Sequence, residues 1–488
     1  MNGTDDQTIG GRFGIAIAAG VPVLVLVSMG PVAALVGNAS IVVWLLSALI
    51  GLLMAVIFAE LAGGYPRVNG GVAVLAAEVL QPRSRALARV AQWSYWFGWS
   101  PALAINGLLV GAYVQRIAFP DGPAWTAALI AGLVLVTSAT VNHFGMHVGA
   151  RLQVVLVACV VGVVGLLFFG ALAKGNIDLD HLHPFAPSEG WLSGAGVLGL
   201  AGALFIAGWS AYGSELALSY AMRYRDGLRQ ALHVLAFVAL VSVFAFGVIP
   251  FLLLAVVGPE GLAADPADAF VMLSERSTDI GASVVLGVLV LALLLGLNMI
   301  AVASSWTLHQ MSTRGDAWPT LGRLNRHGMP ARALRFDVGV NLLLIAVLTA
   351  LARGDTAEVP IAVLAAANVG YFISMTLALA AAWINHRRPV RRGLLRLRSG
   401  LARTGPAIAG LNLVLLACAG WAWGWQNIVV GTLMLAGVVG LGAVARRPRR
   451  ATAPADVTMP PCWGRAEAAR HTSDDRNPIH AGERWQQP

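Results

Sequence analysis

Long runs of apolar residues, separated by short polar segments, extend from residue 14 to residue 445. A helix that crosses the hydrocarbon core of a bilayer needs about 20 apolar residues. The runs of this length lie at residues 14–37, 41–64, 91–118, 124–141, 150–173, 192–220, 232–257, 281–312, 334–352, 359–384, 405–424 and 427–445. The pattern therefore predicts an all-α integral membrane protein with twelve transmembrane helices.

The composition agrees with this prediction. Hydrophobic residues make up 57% of the chain and charged residues only 12%, whereas soluble domains are about 25% charged. The formal net charge of +9 does not indicate nucleic-acid binding, because the basic residues lie between apolar runs. The three cysteines are too scattered for a disulfide framework or a metal site. The sequence predicts no cofactor and no bound metal.

The basic residues also predict the orientation. If the N-terminus is placed inside, 29 of the 33 lysines and arginines fall in inside segments. Inside loops carry the excess of Lys and Arg in membrane proteins. We therefore expect a cytoplasmic N-terminus at residues 1–13 and a disordered cytoplasmic tail at residues 446–488. The arginine-rich composition is typical of a GC-rich bacterial genome, which favours the plasma membrane.

The sixth apolar run contains features that a continuous membrane helix does not need. Gly208 and Gly213 interrupt its centre, and Glu215 places a carboxylate there. Irregular backbone at membrane depth is tolerated where it lines a protein cavity. One interpretation is a discontinuous helix at a substrate site. The other is a glycine-flexed packing helix whose Glu215 pairs with a neighbouring helix.

The first apolar run contains a similar interruption five runs earlier. Pro31 lacks an N–H and clashes with the preceding turn, which predicts that the helix opens near Ser28 to Gly30. Interrupted helices at matching positions are typical of transporters built from inverted repeats. The N–H groups of one broken end suit a carboxylate, and the carbonyls of the other suit an ammonium group. Together the two breaks predict a site for a zwitterion such as an amino acid.

Four motifs resemble those of the amino acid–polyamine–organocation permease superfamily. Phe58–Gly71 resembles its "AELA…P…GG" signature, and Asn142–Gly145 resembles its "N-x-x-G" entry. Arg314–Pro319 followed by Asn325–Pro330 resembles its "RDG…P…N…G-x-P" loop. Gly213–Glu215 falls where the family carries "G-x-E". The resemblance covers roughly residues 12 to 445.

Two segments depart from the family pattern. Ser28–Pro31 stands where the family carries "G-S-G-I-F" and keeps a glycine, Gly30, for close approach of the backbone to a ligand. Some proton-coupled members place a lysine in the fifth helix, whereas Ala158–Val160 is apolar. The chain therefore departs from the pattern on which a lysine switch depends.

The resemblance implies a five-plus-five inverted repeat with discontinuous helices 1 and 6, and two further C-terminal helices. The transport core would span residues 14–400, with repeats at 14–173 and 192–384, and the accessory helices would span 405–445. The family moves a small amine or amino acid by alternating access. The expected substrate-binding residues are Ser28, Met29 and Gly30 toward the carboxylate, and Gly208, Trp209, Ser210 and Gly213 toward the amine. Trp209 or Tyr212 would form an aromatic lid or a cation–π wall, or would serve in the bundle core.

Three further interpretations concern polar and aromatic side chains. Glu215 is the candidate proton-coupling residue, because a desolvated carboxylate can cycle protons, with a purely structural carboxylate as the alternative. Ser304 and Ser305 offer hydroxyls for a sodium site, or serve in helix packing. Trp93, Trp96 and Trp99 are expected to be interface or packing residues.

The sequence predicts a secondary active transporter of an amino acid or related amine, and not an enzyme. It lacks HExxH, GxSxG and phosphate-loop motifs. A non-transporting amino acid sensor and a polyamine or organocation exchanger use the same fold and remain alternatives. The expected partners are the small-molecule substrate, a proton or counter-substrate, and the lipid bilayer.

Overall fold

The prediction of an all-helical protein is confirmed for the part of the chain that the structure describes. This computed structural model describes residues 10–65, 68, 70–123, 125–187, 189–219, 221, 224–278, 280–352, 359–388 and 396–444. The described residues belong to one compact unit, Met1–Arg446. The predicted tail at 446–488 and most of the predicted N-terminal segment lie outside the described residues.

Eighteen α-helices occur in the described residues. They are α1 Gly11–Ala18, α2 Gly20–Val23, α3 Val25–Val36, α4 Ser40–Gly63, α5 Gly71–Leu80, α6 Arg85–Trp99, α7 Ala102–Ala118, α8 Trp125–His143, α9 Met146–Lys174, α10 Gly194–Ala211, α11 Leu228–Ala264, α12 Pro266–Ser277, α13 Ala282–Thr313, α14 Ala331–Leu351, α15 Val359–His386, α16 Ser399–Ala402, α17 Thr404–Trp423 and α18 Trp425–Val444. Short 3₁₀ helices occur at Gly37–Ala39, Leu179–Leu182, Gly213–Leu218 and Pro319–Gly322.

Eleven helical stretches of the described residues are long and apolar enough to cross a bilayer. The first, Gly14–Gly63, has 50 residues and covers the first two predicted spans. A continuous helix of that length would extend about 75 Å, more than twice the hydrocarbon thickness. Within this stretch Gly37 has a φ of 54°, so the helical path is interrupted between α3 and α4.

The structure extends two predicted spans at their starts and adds helices between the predicted spans, among them α5 and α12. α6 begins at Arg85, before the predicted start at 91, and α11 begins at Leu228, before the predicted start at 232, and is kinked at Gly258 (φ 77°, ψ 170°). In α5, every residue except Glu78 is buried. At ten residues it is too short to cross a membrane. Hydrophobic runs of span length therefore could not identify it.

The surface of the helical unit is apolar, and its interior contains large aromatic side chains. Leu133, Phe169 and Leu433 are 59%, 68% and 66% exposed. Trp99, Trp209 and other aromatic residues are completely buried. This arrangement suits a protein whose outer surface faces lipid, because lipid tails are as apolar as a leucine side chain.

Candidate functional site

The sixth span changes its helical geometry where the sequence predicts. α10 ends at Ala211, Tyr212 has φ −82° and ψ −9°, and the chain continues as a 3₁₀ helix from Gly213 to Leu218. A Cβ on Gly213 would lie 3.1 Å from the Trp99 ring, so glycine allows this ring to pack against the segment. The 3₁₀ turn holds Glu215 in the protein interior with no exposed surface.

Three aromatic side chains donate hydrogen bonds to the Glu215 carboxylate. The Tyr95 hydroxyl donates to Oε2 at 2.5 Å. The Tyr371 hydroxyl and the Trp99 indole N–H donate to Oε1 at 3.2 Å and 3.3 Å. A buried carboxylate is costly unless hydrogen bonds or a cation stabilise it, and here the contacting donors are all neutral. We call Glu215, Tyr95, Trp99 and Tyr371 the carboxylate cage.

Helices α6 and α15 position the three donors. Tyr95 and Trp99 are four residues apart on α6 and therefore share one face. A Cβ on Gly98 would lie 2.8 Å from Tyr371 Cα, and a Cβ on Gly370 would lie 2.7 Å from Ser94 O. These reciprocal glycines let the two helices approach closely. The approach carries Tyr371 across to the cage.

Three of the sequence-predicted site residues, Ser28, Ser210 and Trp209, make side-chain contacts between helical elements. The hydroxyls of Ser28 and Ser210 are 2.6 Å apart, and Ser210 Oγ donates to Leu24 O at 3.1 Å. The Trp209 indole N–H donates to Gly98 O at 3.0 Å, and its ring centroid is 5.1 Å from that of Trp99. The structure therefore joins spans 1 and 6 through a serine pair, and joins span 6 to α6 through Trp209.

The predicted opening of span 1 near Ser28 to Gly30 is wrong. Ser28, Met29 and Gly30 lie inside α3, with Pro31 in the same helix. The interruptions fall instead at Ala19 and Leu24, on either side of α2, and they are limited to the hydrogen bonding, since both residues keep right-handed helical φ and ψ. Pro22 explains the first, because its ring clashes with the carbonyl of Ala18, where α1 ends.

The remaining predicted substrate residues are also closed off from solvent. Met29, Gly30, Gly208, Tyr212 and Gly213 are all buried. Gly208 packs against the rings of Tyr212 and Phe372, and the Tyr212 hydroxyl makes no hydrogen bond. All the predicted substrate residues are therefore buried in this structure.

The candidate sodium residues face different surroundings. Ser305 Oγ donates to Val302 O in its own helix at 2.9 Å. Ser304 faces the carboxyl group of Asp337 on α14. No group of three or more His, Cys, Asp or Glu side chains suited to a metal occurs among the described residues. The sodium site stays a prediction.

Sequence reasoning missed the donors of the cage and a second buried acid. Trp99 was expected to be an interface or packing residue, but it donates to Glu215. The four-residue spacing of Tyr95 and Trp99 was a usable signal, whereas nothing local pointed to Tyr371. Asp337 is completely buried near the start of α14, and the sequence analysis assigned it no role.

Comparison with known proteins identifies the family. The profile described as amino acid permease matches residues 13–444. This chain belongs to the amino acid permease family. The match covers all the helical spans, and together with the apolar helices it establishes a multi-pass membrane protein.

Individual relatives are more distant. The lysine-specific permease LysP of Lactococcus lactis subsp. cremoris (strain MG1363) is 26% identical over 51% of this chain and 52% of its own length. The amino-acid permease RocE of Bacillus subtilis (strain 168) is 26% identical over 68% and 70%. The histidine permease HisP of the same Lactococcus strain is 23% identical over 50% and 52%. The chain thus spans about half the length of two of these relatives.

Proposed function

We propose that this protein is a secondary active transporter that moves an amino acid or related amine across the plasma membrane. The observation that carries this proposal is the carboxylate cage beside the interrupted spans 1 and 6. Family membership supports the same class of function. The three relatives are named as permeases, so a membrane-embedded enzyme finds no support among them.

The proposed substrate site lies between the two interruptions. Ser28 and Ser210 would contact the substrate from spans 1 and 6, and Trp209 and Tyr212 would form its aromatic walls. The unpaired Tyr212 hydroxyl supports this position, because a buried hydroxyl without a partner is costly until a ligand supplies one. Opening by alternating access would be required for entry, since every one of these side chains is buried.

The proposed coupling group is Glu215, which would bind a proton. A carboxylate at membrane depth costs about 2.5–3.5 kcal/mol on insertion scales. Neutral donors are its only hydrogen-bond partners among the described residues. A proton would remove the charge, and its release would restore strong hydrogen bonds from the cage.

The proposal includes the architecture on which alternating access depends. Gly14–Gly63 would contribute two spans, which gives twelve, with repeats at 14–173 and 192–384 and accessory helices at 405–445. Both termini would lie in the cytoplasm. The interruptions at Ala19 and Leu24 in span 1 and at Tyr212 in span 6 support a five-plus-five inverted repeat.

The decisive experiment is uptake into proteoliposomes with and without an inward proton gradient. The panel of substrates begins with lysine and histidine, which the names of two relatives contain, and adds other amino acids and polyamines. We expect one substrate class to accumulate only with the gradient. In Glu215→Gln, which cannot exchange a proton, we expect exchange of substrate without gradient-driven accumulation.

The matched control is Glu260→Gln, which alters an exposed glutamate and should transport like the unmodified protein. If Glu215→Gln still accumulates substrate with the gradient, the coupling role is refuted. If nothing on the panel moves while a ligand raises the melting temperature, the protein is a sensor rather than a transporter.

A further inference from the structure

A second carboxylate, Asp337 on α14, is buried outside the carboxylate cage. Its side chain has no exposed surface. The Ser100 hydroxyl donates to Oδ1 at 2.5 Å, and the Asn341 amide donates to Ser100 Oγ at 3.0 Å. Asn341 Oδ1 in turn accepts from the backbone N–H of Ala104 at 3.2 Å. These bonds form an oriented chain that ends on Oδ1 of Asp337.

The other oxygen of Asp337 has no such partner. Oδ2 makes no hydrogen bond, although it is buried. The side chains of Ser304 and Trp96 face the carboxyl group as polar neighbours, but neither Ser304 Oγ nor Trp96 Nε1 reaches it with the geometry of a full hydrogen bond. Polar atoms that are buried without a well-formed hydrogen bond are costly.

Asp337 also lacks a neighbouring positive charge. The side chains that act on it are Ser100, Ser304 and Trp96, which are all neutral. The titratable groups on the helices packed nearby include Tyr95 on α6, His309 on α13 and His143 on α8. A buried carboxylate must be neutralised by a charge or a proton, or stabilised by hydrogen bonds. The side chains that act on Asp337 supply hydrogen bonds but no positive charge.

We propose that Asp337 is a proton-binding site, with the proton on Oδ2. The proton comes from the aqueous phase, and the resulting O–H donates to Ser304 Oγ. One proton thereby removes the buried charge and forms a hydrogen bond between Asp337 Oδ2 and Ser304 Oγ. A metal cation fits less well, because the Trp96 N–H and the Asn341 amide hydrogens face this region as donors.

Helix α6 connects this site to the cage. Tyr95 and Trp99 contact Glu215, while Trp96 and Ser100 face Asp337, so two pairs with the same four-residue spacing lie side by side on one helix. Adjacent residues on an α-helix are rotated by about 100°, so the pairs occupy neighbouring faces. Trp99, which donates to Glu215, and Ser100, which donates to Asp337, are consecutive residues at the end of this helix.

The test is infrared spectroscopy of the purified full-length protein in lipid, as a function of pH. A protonated carboxylic acid has a C=O stretching band that ionised carboxylates lack. We expect the unmodified protein to show one such band that grows as the pH falls through the mildly acidic range, and Asp337→Asn to lose it. The control Asp268→Asn, which removes a half-exposed acid, should leave the band unchanged.

Ser304→Ala provides a second test that does not remove the acid. Without the serine acceptor, the same band should remain and shift to higher frequency. Identical spectra for the unmodified protein and Asp337→Asn, with both variants folded by their melting temperatures, would overturn the proposal. So would binding of ²²Na⁺ that Asp337→Asn abolishes. The measurement needs no substrate, so its failure is distinct from failure of the proposed transport function.

Discussion

The two oxygens of Glu215 are not equivalent. Oε1 accepts from both Tyr371 and Trp99, whereas Tyr95 is the only described donor to Oε2. Hydrogen bonds to a charged group contribute about 1.5–3 kcal/mol, and a buried acceptor left without a donor is penalised further. The consequence of removing a hydroxyl should therefore depend on which oxygen loses its donor.

This asymmetry predicts unequal effects of two identical chemical changes. Tyr95→Phe leaves Oε2 without a donor and should slow ionisation-dependent uptake roughly tenfold or more, since about 1.4 kcal/mol corresponds to a factor of ten. Tyr371→Phe should have a smaller effect, because Trp99 still donates to Oε1. Initial uptake rates in proteoliposomes measure both.

Tyr113→Phe is the control, since Tyr113 lies on α7 near Asp265 and Arg116 rather than in the cage. Equal losses of uptake rate in Tyr95→Phe and Tyr371→Phe would show that the two carboxylate oxygens of Glu215 are equivalent in the working protein.

At the scale of elements, the contact between α6 and α15 determines whether the cage exists. Gly98 and Gly370 lie opposite each other in this contact, and neither has room for a methyl group. The same contact is reinforced by the Ser374 hydroxyl, which donates to Ala91 O at 2.8 Å. Any change that separates the two helices moves Tyr371 away from Tyr95 and Trp99.

Gly370→Ala should therefore reduce both stability and uptake. Its new methyl group would lie 2.7 Å from Ser94 O and 2.8 Å from the Phe97 ring, and overpacking of this kind costs about 1–3 kcal/mol. The melting temperature in detergent and the uptake rate should fall together.

Gly437→Ala on α18 is the matched control, because nothing lies within 4 Å of its added Cβ. There the substitution should slightly raise the melting temperature, since alanine is favoured over glycine in a helix by about 0.5–1 kcal/mol. If the melting temperature fell equally in both variants, helix packing at Gly370 would not be the cause of the destabilisation.

At the scale of the whole molecule, the distribution of charge determines orientation. Most of the basic residues fall in loops on one side of the predicted topology, and such loops stay in the cytoplasm. Lys174 at the end of α9 and Arg323 beyond α13 lie on opposite sides in this arrangement, and both are exposed. They therefore make a matched pair of reporter positions.

We expect a cysteine that replaces Lys174 to react with a membrane-impermeant maleimide in intact cells. A cysteine that replaces Arg323 should react only after the membrane is permeabilised. Both are introduced into a chain whose three native cysteines are replaced by serine or alanine. The reverse pattern of labelling would place the N-terminus outside.

The sequence by itself determined the features that depend on local chemistry. The apolar runs located the spans because hydrocarbon solvates nonpolar side chains wherever they lie in the chain. The glycines and the acid of span 6 located its irregular segment, because glycine loosens the helical backbone locally and a carboxylate is costly to bury wherever it lies. The structure places the change of helix type at Tyr212, between those glycines.

Only the tertiary structure decided which groups meet. Glu215 is far along the chain from Tyr95 and Tyr371, and no local pattern encodes a contact across such separations. Both Pro22 and Pro31 disturb a helix locally, yet Pro31 is accommodated inside α3, because neighbouring helices can satisfy the groups that a proline frees. In the sequence Asp337 is an ordinary acid near the start of a span. In the folded protein α6 and α13 cover it. Packing between helices depends on the shapes of surfaces that form only when the chain is folded. This packing brings the residues of the cage together and buries Asp337.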